Sequence, residues 1–217
     1  MLKPASKRVR FSKNSWEGES LELKLFVSGI GGQGVQLIGK TIALAALTEG
    51  RHVMLAGEYG GHMRGGSSVV AVVIGLEPVR ALPNLPEAEM AIALSHSYWE
   101  KVSTRLKPGS LILAEETIAT ELPNDGAHRI VSVPAISLGV QAGNRLAASM
   151  AMMGAFSELT GAVSPEALGE AMIEQLPPYR RQHAPTNQTA IQLGVNYARE
   201  HYGSRVHPAP YLAELAA

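Results

Sequence analysis

The hydrophobic pattern becomes regular at residue 23. Residues 23–28 form a short apolar run that leads into glycines, which is typical of a buried parallel strand. Over residues 33–49 apolar side chains recur at helical spacing, and Gly50 follows where such a helix would stop. With a further apolar run at residues 52–56, the pattern predicts a strand, a glycine-rich turn, a helix and a second strand. This is a βαβ unit, for which we expect a right-handed crossover.

Farther along the chain the pattern changes from strands to helices. Apolar, partly β-branched runs predict strands at residues 68–75, 90–95, 110–114 and 129–133. A helix is predicted at residues 96–106, before the breaker pair Pro108-Gly109. Further helices are predicted at residues 144–159, at Pro165–Gln175 with Ser164 as N-cap, and at residues 186–201. This order predicts an α/β fold, a three-layer α/β/α Rossmann-like domain with a helical C-terminal part.

The chain of 217 residues is long enough for one α/β domain. We expect that domain to span residues 23–203 and a C-terminal tail to span residues 204–217, of which residues 208–217 form a surface or interface tail. Residues 1–22 form a basic arm, in which five cations precede the first acid: Lys3, Lys7, Arg8, Arg10 and Lys13. No apolar or amphipathic segment accompanies these charges, which argues against a transit peptide. A flexible or partner-docked arm, a solvated tail and a misassigned start codon remain open.

The composition excludes several classes of protein. Hydrophobic residues at 46% and charged residues at 18% describe a globular chain. Nineteen basic and nineteen acidic side chains cancel, so no overall field would attract nucleic acid or an anionic membrane. No apolar run approaches the ~20 residues that span a bilayer, so we expect a cytoplasmic protein without a membrane span. The chain has no cysteine, which removes disulfides and the usual ligands of iron–sulfur clusters and thiolate zinc sites.

The first candidate for chemistry is a glycine-rich turn between a predicted strand and the helix that it opens. Its sequence, Gly29-Ile30-Gly31-Gly32-Gln33-Gly34, matches the pattern GxGxxG. Glycines let the backbone turn sharply and approach a ligand, and the free N–H groups at the start of a helix favour a phosphate or pyrophosphate. The turn is therefore a candidate anion site. A tight turn that holds no ligand is the alternative.

A dinucleotide-binding domain would carry a second feature, an acid at the end of the second strand that binds the ribose hydroxyls. Glu58 is the only nearby candidate. It follows Gly57, beyond the predicted end of that strand, and it opens another glycine-rich loop. The sequence therefore favours a phosphate-bearing ligand other than NAD.

The second candidate is the loop over residues 58–68, in which glycines lie on both sides of Arg64. The Arg64 guanidinium could make a bidentate contact to a phosphate or carboxylate, or join the loop to a partner's carboxylate, and Gly65 and Gly66 would permit close approach. An exposed loop with an ordinary surface arginine is the alternative. The seven histidines are scattered without the spacing of metal ligands, so we predict neither a catalytic nor a metal-binding residue.

Taken together, these motifs resemble a known family. Gly29-x-Gly31-Gly32-Gln33-Gly34-Val35, with Glu58-Tyr59-Gly60 and Arg64-Gly65-Gly66, is similar to the gamma subunit of the pyruvate and 2-oxoacid ferredoxin oxidoreductases. Later landmarks agree with it, namely Lys107-Pro108-Gly109-Ser110, Gly143-Asn144, Met153-Gly154, and Asn187 with Ala190 and Gly194. The resemblance covers residues 23–202.

The resemblance implies a role in the oxidative decarboxylation of a 2-oxoacid. In that family coenzyme A is the usual acyl acceptor, and ferredoxin or a related carrier takes the electrons. Thiamine diphosphate and the iron–sulfur clusters are expected on partner subunits of alpha, beta and delta type, in agreement with the lack of cysteine here. The gamma part is associated with coenzyme A handling and assembly. The residues implied in coenzyme A binding are Gly29, Gly31, Gly32, Gln33, Gly34, Arg64, Gly65 and Gly66.

Three functions from different classes remain open. The chain could be a ligand-holding subunit of an oxidoreductase complex, a stand-alone nucleotide-dependent enzyme, or an assembly subunit whose glycine loops bind no ligand. The first is favoured because the two glycine loops occur together. The second predicts NAD(P)-dependent turnover by the purified chain, and the third predicts stable assembly without ligand protection of either loop.

Overall fold

The computed structural model describes residues 21–59, 66–80, 84–96, 99–122 and 126–215. Within these ranges the chain forms a mixed six-stranded sheet with the order β2-β3-β1-β4-β5-β6. The strands are β1 (Leu23–Ile30), β2 (His52–Tyr59), β3 (Ser67–Gly75), β4 (Ala88–Ala93), β5 (Leu106–Glu115) and β6 (Arg129–Val133). The prediction for β6 is confirmed to the residue.

The helices follow the same chain order. They are α1 (Val35–Thr48), α2 (Trp99–Ser103), α3 (Glu116–Ala119), α4 (Ala135–Gln141), α5 (Ala148–Thr160), α6 (Pro165–Gln175), α7 (Ala184–His201) and α8 (Leu212–Leu215). The bounds and N-cap predicted for α6 are confirmed, because the Ser164 side chain accepts a hydrogen bond from the Ala167 N–H at 3.1 Å. Among the helices described, none combines the length and apolar character needed to cross a membrane.

Strand β3 changes the topology expected for the first βαβ unit. Strands β1, β4, β5 and β6 are parallel, whereas β3 lies antiparallel between β1 and β2. Strands β1 and β2 therefore run in the same direction but are not neighbours. The physical reason is burial: nearly all of β3 is buried, so it needs a strand on each side, while the more exposed β2 takes the edge.

The two faces of the sheet bury separate apolar clusters. Leu25 and Val27 of β1 face the helices α1, α5, α6 and α7. Phe26, between them in sequence, points to the other face and joins the cluster of Trp99 and Val102 from α2. The predicted three-layer α/β/α architecture is confirmed, with long helices on one face and short helices and loops on the other.

The region around Pro108 departs from the prediction. Strand β5 starts at Leu106, so the helix expected over residues 96–106 is limited to the short α2 in the described part. Ala88 pairs with Leu106 and Met90 with Leu111, which leaves residues 107–110 as a bulge opposite Glu89. The sequence correctly indicated a disruption at Pro108-Gly109, but the chain continues in the strand after it.

The C-terminal segment is more buried than the predicted surface tail. Ala209 and Tyr211 are 2% and 0% exposed. The Tyr211 hydroxyl donates a hydrogen bond to the Ala162 carbonyl at 2.9 Å, and the Arg51 guanidinium lies 5.2 Å from the centre of the Tyr211 ring. The prediction of a surface or interface tail was therefore wrong for these two residues, because they pack on the end of α5, where the Ala209 N–H donates to the Thr160 carbonyl at 2.9 Å.

Candidate functional site

The glycine-rich turn joins the end of β1 to the start of α1. Gly32 has φ +101° and the N-cap residue Gly34 has φ +85°, values that favour glycine strongly. No side chain caps the first turn of α1, and that turn holds no acidic residue. The positive end of the helix is therefore open to an anion from outside.

Gln33 holds the turn in place. Its Oε1 accepts a hydrogen bond from the Ile30 N–H at 2.9 Å, and its Nε2 donates to the Leu94 carbonyl at 2.8 Å. The side chain thus ties the end of β1 to the end of β4. Gly29 is buried beneath it, since a Cβ there would lie 2.7 Å from Gln33 Oε1 and 2.9 Å from Val35 Cγ2. Gly31 and Gly32, by contrast, are exposed.

The described parts of the two glycine segments meet at the carboxyl end of β1. The Gly31 N–H donates to the Gly66 carbonyl at 3.0 Å, and Ile30 pairs with Ser67 across β1 and β3. The start of β3 therefore brings Gly66 beside the turn. Arg64 and Gly65 lie outside the described residues, so their assignment stays a prediction.

The turn also lies at the switch point of the sheet. From β1 the chain passes through α1 towards the β2 side of the sheet, and from β4 it passes through α2 towards β5. Helices α1 and α2 pack on opposite faces. The carboxyl ends of β1 and β4 thus border a crevice, which is where open α/β sheets bind their ligands.

The position of Glu58 differs from the expectation. Strand β2 continues to Tyr59, so Glu58 belongs to the strand and pairs with Val69. The strand was predicted to end earlier because Gly57 was taken as its limit. Glu58 is nevertheless poorly placed for the ribose of NAD, since β3 separates β2 from β1 and places Glu58 about 10 Å from β1, two strand spacings away.

Ser149 was missed by sequence reasoning, although it contacts the turn. A Cβ built on Gly34 would lie 3.0 Å from both Cβ and Oγ of Ser149. The residue falls within a predicted helix and belongs to no recognisable motif, so only the packing of α5 against the turn reveals it.

Two clefts among the described residues lie away from the turn. One, of about 940 Å³, borders Lys24 at the start of β1 and Gly75 at the end of β3. The other, of about 560 Å³, borders Glu158 and Arg199, which form an ion pair at 2.9 Å. Hydrogen bonding from Arg199 holds the pKa of Glu158 below its ordinary value. Within the same ranges, no group of three or more metal-ligating side chains occurs.

Comparison with known proteins gives a consistent result. A family model described as pyruvate ferredoxin/flavodoxin oxidoreductase matches residues 24–197. The ketoisovalerate oxidoreductase subunit VorA of Methanothermobacter thermautotrophicus is 32% identical over 181 residues, which are 82% of this chain and 37% of the relative. The chain therefore spans little more than a third of that relative.

Solved structures share the fold. The gamma subunit of the keto/oxoacid ferredoxin oxidoreductase from Geobacter sulfurreducens superposes with a TM-score of 0.68 at 28% identity, over 82% of this chain and 99% of that subunit. The 2-oxoglutarate:ferredoxin oxidoreductase from Magnetococcus marinus, solved with 2-oxoglutarate, coenzyme A and succinyl-CoA, gives 0.74 at 19% identity, over 86% of this chain and 32% of that one.

Proposed function

Because this chain belongs to the pyruvate ferredoxin/flavodoxin oxidoreductase family, we propose that it is the gamma-type part of a thiamine-dependent 2-oxoacid:acceptor oxidoreductase. The complex oxidatively decarboxylates a 2-oxoacid to an acyl-CoA and passes electrons to ferredoxin or a similar acceptor. This chain contributes coenzyme A binding and subunit assembly. Thiamine diphosphate and the iron–sulfur clusters reside on subunits of alpha, beta and delta type. For the clusters, this agrees with the absence of cysteine from this chain.

The observation that carries the proposal is the hydrogen bond between Gly31 and Gly66. It joins the two glycine segments at the switch point, next to the uncapped start of α1. Coenzyme A carries a pyrophosphate, the kind of group that a helix N-terminus and exposed backbone N–H groups bind. The Magnetococcus marinus enzyme, whose fold this chain shares, was solved with coenzyme A bound.

The residues of the site take different roles in this proposal. Gly32 and Gly34 present backbone N–H groups to the pyrophosphate, and Gly31, whose own N–H donates to the Gly66 carbonyl, allows its close approach. Gly29 and Gln33 keep the turn in shape, because the Gln33 amide already bonds to Ile30 and Leu94. Gly66 fixes the second loop against the first.

Arg64, with Gly65 beside it, has one of two roles in the proposal. If Arg64 is a phosphate ligand, Arg64→Ala would raise the apparent KM for coenzyme A. If Arg64 joins this chain to the thiamine-bearing subunit, the same variant would release the chain on size-exclusion chromatography. If neither property changed, Arg64 would have no part in the site.

A negative charge introduced at Gly32 tests coenzyme A binding. A Cβ at Gly32 meets nothing within 4 Å. The left-handed backbone of residue 32 strains Asp and Asn to a similar extent. In the assembled enzyme, Gly32→Asp should raise the KM for coenzyme A far more than Gly32→Asn, because only Asp repels the pyrophosphate. The KM for the 2-oxoacid should not change. Equal effects of the two variants on coenzyme A would favour a purely structural turn.

A further inference from the structure

Large apolar side chains are exposed on two segments of the described chain, which we call the leucine turn (residues 140–147) and the arginine loop (residues 177–183). Leu146 and Val140 on the leucine turn are 78% and 58% exposed, and Tyr179 on the arginine loop is 72% exposed. A single exposed leucine is ordinary in a globular protein, whereas a group of large apolar side chains on one surface marks an interaction site.

Both segments lie toward the glycine-rich turn. The leucine turn leads directly into α5, where Ser149 lies 3.0 Å from the position of a Cβ on Gly34. Helix α6 runs antiparallel to α1, because its N-cap N–H donates to Glu49, beyond the end of α1, and Gln175 at its own end donates to Thr41 within α1. The arginine loop follows α6 and is therefore directed toward the start of α1. The two segments thus border the same end of the sheet as the turn.

The leucine turn holds its exposed side chain in a fixed position. The Asn144 N–H donates to the Gly139 carbonyl at 2.9 Å, and the Asn144 carbonyl accepts from the Ala147 N–H at 2.8 Å. The Asn144 side chain also accepts a hydrogen bond from the Leu146 N–H at 2.9 Å. In the arginine loop, two consecutive prolines restrict the backbone before Tyr179. Anchors that are already ordered lose less conformational freedom when a partner binds, which favours association.

The same two segments carry positive charge. Arg145 on the leucine turn and Arg180 and Arg181 on the arginine loop are exposed, and neither segment contains an aspartate or glutamate. In the part of the chain that the structure describes, none of the three guanidinium groups forms a hydrogen bond or an ion pair, and Arg180 lies 5.6 Å from the centre of the Tyr179 ring. A second copy paired through this surface would bring arginines together, whereas an acidic surface would match them.

We propose that the leucine turn and the arginine loop form one docking surface for an acidic face of a partner subunit. This rests on the proposed function and assigns to it a surface of contact. Leu146 and Tyr179 are the apolar anchors, and the three arginines around them pair with carboxylates of the partner. Tyrosine and arginine are the side chains that often contribute most of the binding energy at interfaces. A partner seated here lies next to the glycine-rich turn.

Titration of the full-length chain with the partner subunits that co-purify with it tests this surface. Leu146→Asn and the double variant Arg180→Glu/Arg181→Glu should each bind these subunits at least about tenfold more weakly, the loss expected for anchors of an interface. The effect of the double variant should shrink as the salt concentration rises, because salt screens exposed charges. The unfolding temperatures should not change, since the replaced side chains are exposed.

Leu47→Asn is the matched control. Leu47 is 53% exposed near the end of α1 that points away from the glycine-rich turn, so the same substitution there should leave subunit binding unchanged. Normal binding by both Leu146→Asn and the double arginine variant, or an equal loss in Leu47→Asn, would overturn the docking surface and leave the subunit assignment standing.

Two further outcomes separate this proposal from its alternatives. Self-association of the wild-type chain that Leu146→Asn abolishes, without any effect on subunit binding, would assign the surface to a second copy and overturn the partner. A wild-type chain that co-purifies with no subunit would overturn both the docking surface and the proposed function.

Discussion

At the residue scale, Gln33 is the side chain that most directly shapes the candidate site. It bonds to the Ile30 N–H and to the Leu94 carbonyl, and so links two strands that border the crevice. Gln33→Ala leaves both groups without their partner, and we expect it to lower the free energy of unfolding by about 1–3 kcal/mol. Urea denaturation measures this difference.

Gln192 provides the control for that measurement. It is exposed and bonds only to Asn196 one turn away on α7, so Gln192→Ala should change the unfolding free energy by less than about 0.5 kcal/mol. Equal losses in the two variants would mean that Gln33 does not brace the turn.

A buried carboxyl predicts a pH dependence of stability. Glu89 accepts a hydrogen bond from the Lys24 N–H at 2.7 Å, and burial raises its pKa from 4.5 to about 7 despite that bond and the nearby Lys24 and Lys107 charges. The folded protein therefore holds this proton more tightly than the unfolded chain. As the pH rises from 4.5 to 7, the unfolded chain releases this proton while the folded protein keeps it, so stability falls by up to about 3 kcal/mol.

Glu89→Gln should remove that dependence, because the amide oxygen can still accept the Lys24 N–H and carries no charge at any pH. Denaturation at pH 5 and at pH 8 measures the unfolding free energy of both proteins. The variant should be more stable relative to wild type at pH 8 than at pH 5. A difference that is constant across this range, or that moves the other way, would show that Glu89 is not held with a raised pKa.

At the element scale, the crossing of α5 and α7 depends on two glycines. A Cβ at Gly154 would lie 2.0 Å from the Ile191 carbonyl oxygen, and one at Gly194 would lie 1.9 Å from that of Ala151. Neither clash can be relieved by a side-chain rotation, because the backbone itself is in the way. We expect Gly154→Ala and Gly194→Ala each to destabilise the protein by about 3 kcal/mol or more in thermal unfolding.

Gly169 on α6 is the matched control for those two variants. A Cβ there meets only Gln188 at 3.9 Å and 4.0 Å, so Gly169→Ala should stabilise the helix by about 0.5–1 kcal/mol. The effect has the opposite sign to the one expected at the crossing. A stabilising Gly194→Ala would contradict the close packing of α5 on α7.

The C-terminal segment offers a second test at this scale. Tyr211 is fully buried and bonds to Ala162, whereas Leu215 is 57% exposed. Tyr211→Ala should cost about 3–5 kcal/mol of unfolding free energy, because it leaves a large cavity. Leu215→Ala should have little effect. Similar small losses of unfolding free energy in both variants would show that residues 208–215 form the surface tail that the sequence predicted.

Elements with local signals were predictable from the sequence. Helix α6 has a serine N-cap followed by Pro165, and both are visible without a structure. The insertion of β3 between β1 and β2 was not predictable, because an apolar run reports burial and not the partner strand. The same limit applies to Tyr211, since a lone aromatic near the end of a chain carries no periodicity.

In the candidate site, too, local features were predictable from the sequence and contacts across the fold were not. The glycine spacing and the strand-turn-helix context of residues 29–34 were readable from the sequence, because left-handed positions such as Gly32 and Gly34 require a local residue type. The contacts that Gln33 makes with Leu94 and Ser149 with Gly34 were not readable, because they arise across the fold. The spacing of the glycines thus predicted the turn, whereas its side-chain contacts depend on the fold.

At the scale of the whole molecule, the proposed site lies at the carboxyl end of β1, on an open surface of the described residues. Gly31 and Gly32 are open to solvent, and the two clefts described lie elsewhere. In our proposal, partner subunits cover this surface and complete the coenzyme A site. The account therefore predicts a chain that is inactive alone and functional only in a complex.

The most direct test is mild affinity purification of the chain from its native host, with mass spectrometry of the bound proteins and an assay of coenzyme A-dependent 2-oxoacid oxidation. Our account predicts co-purification of thiamine-binding and cluster-binding subunits together with that activity. A solitary chain that turns over NAD(P) by itself would contradict it.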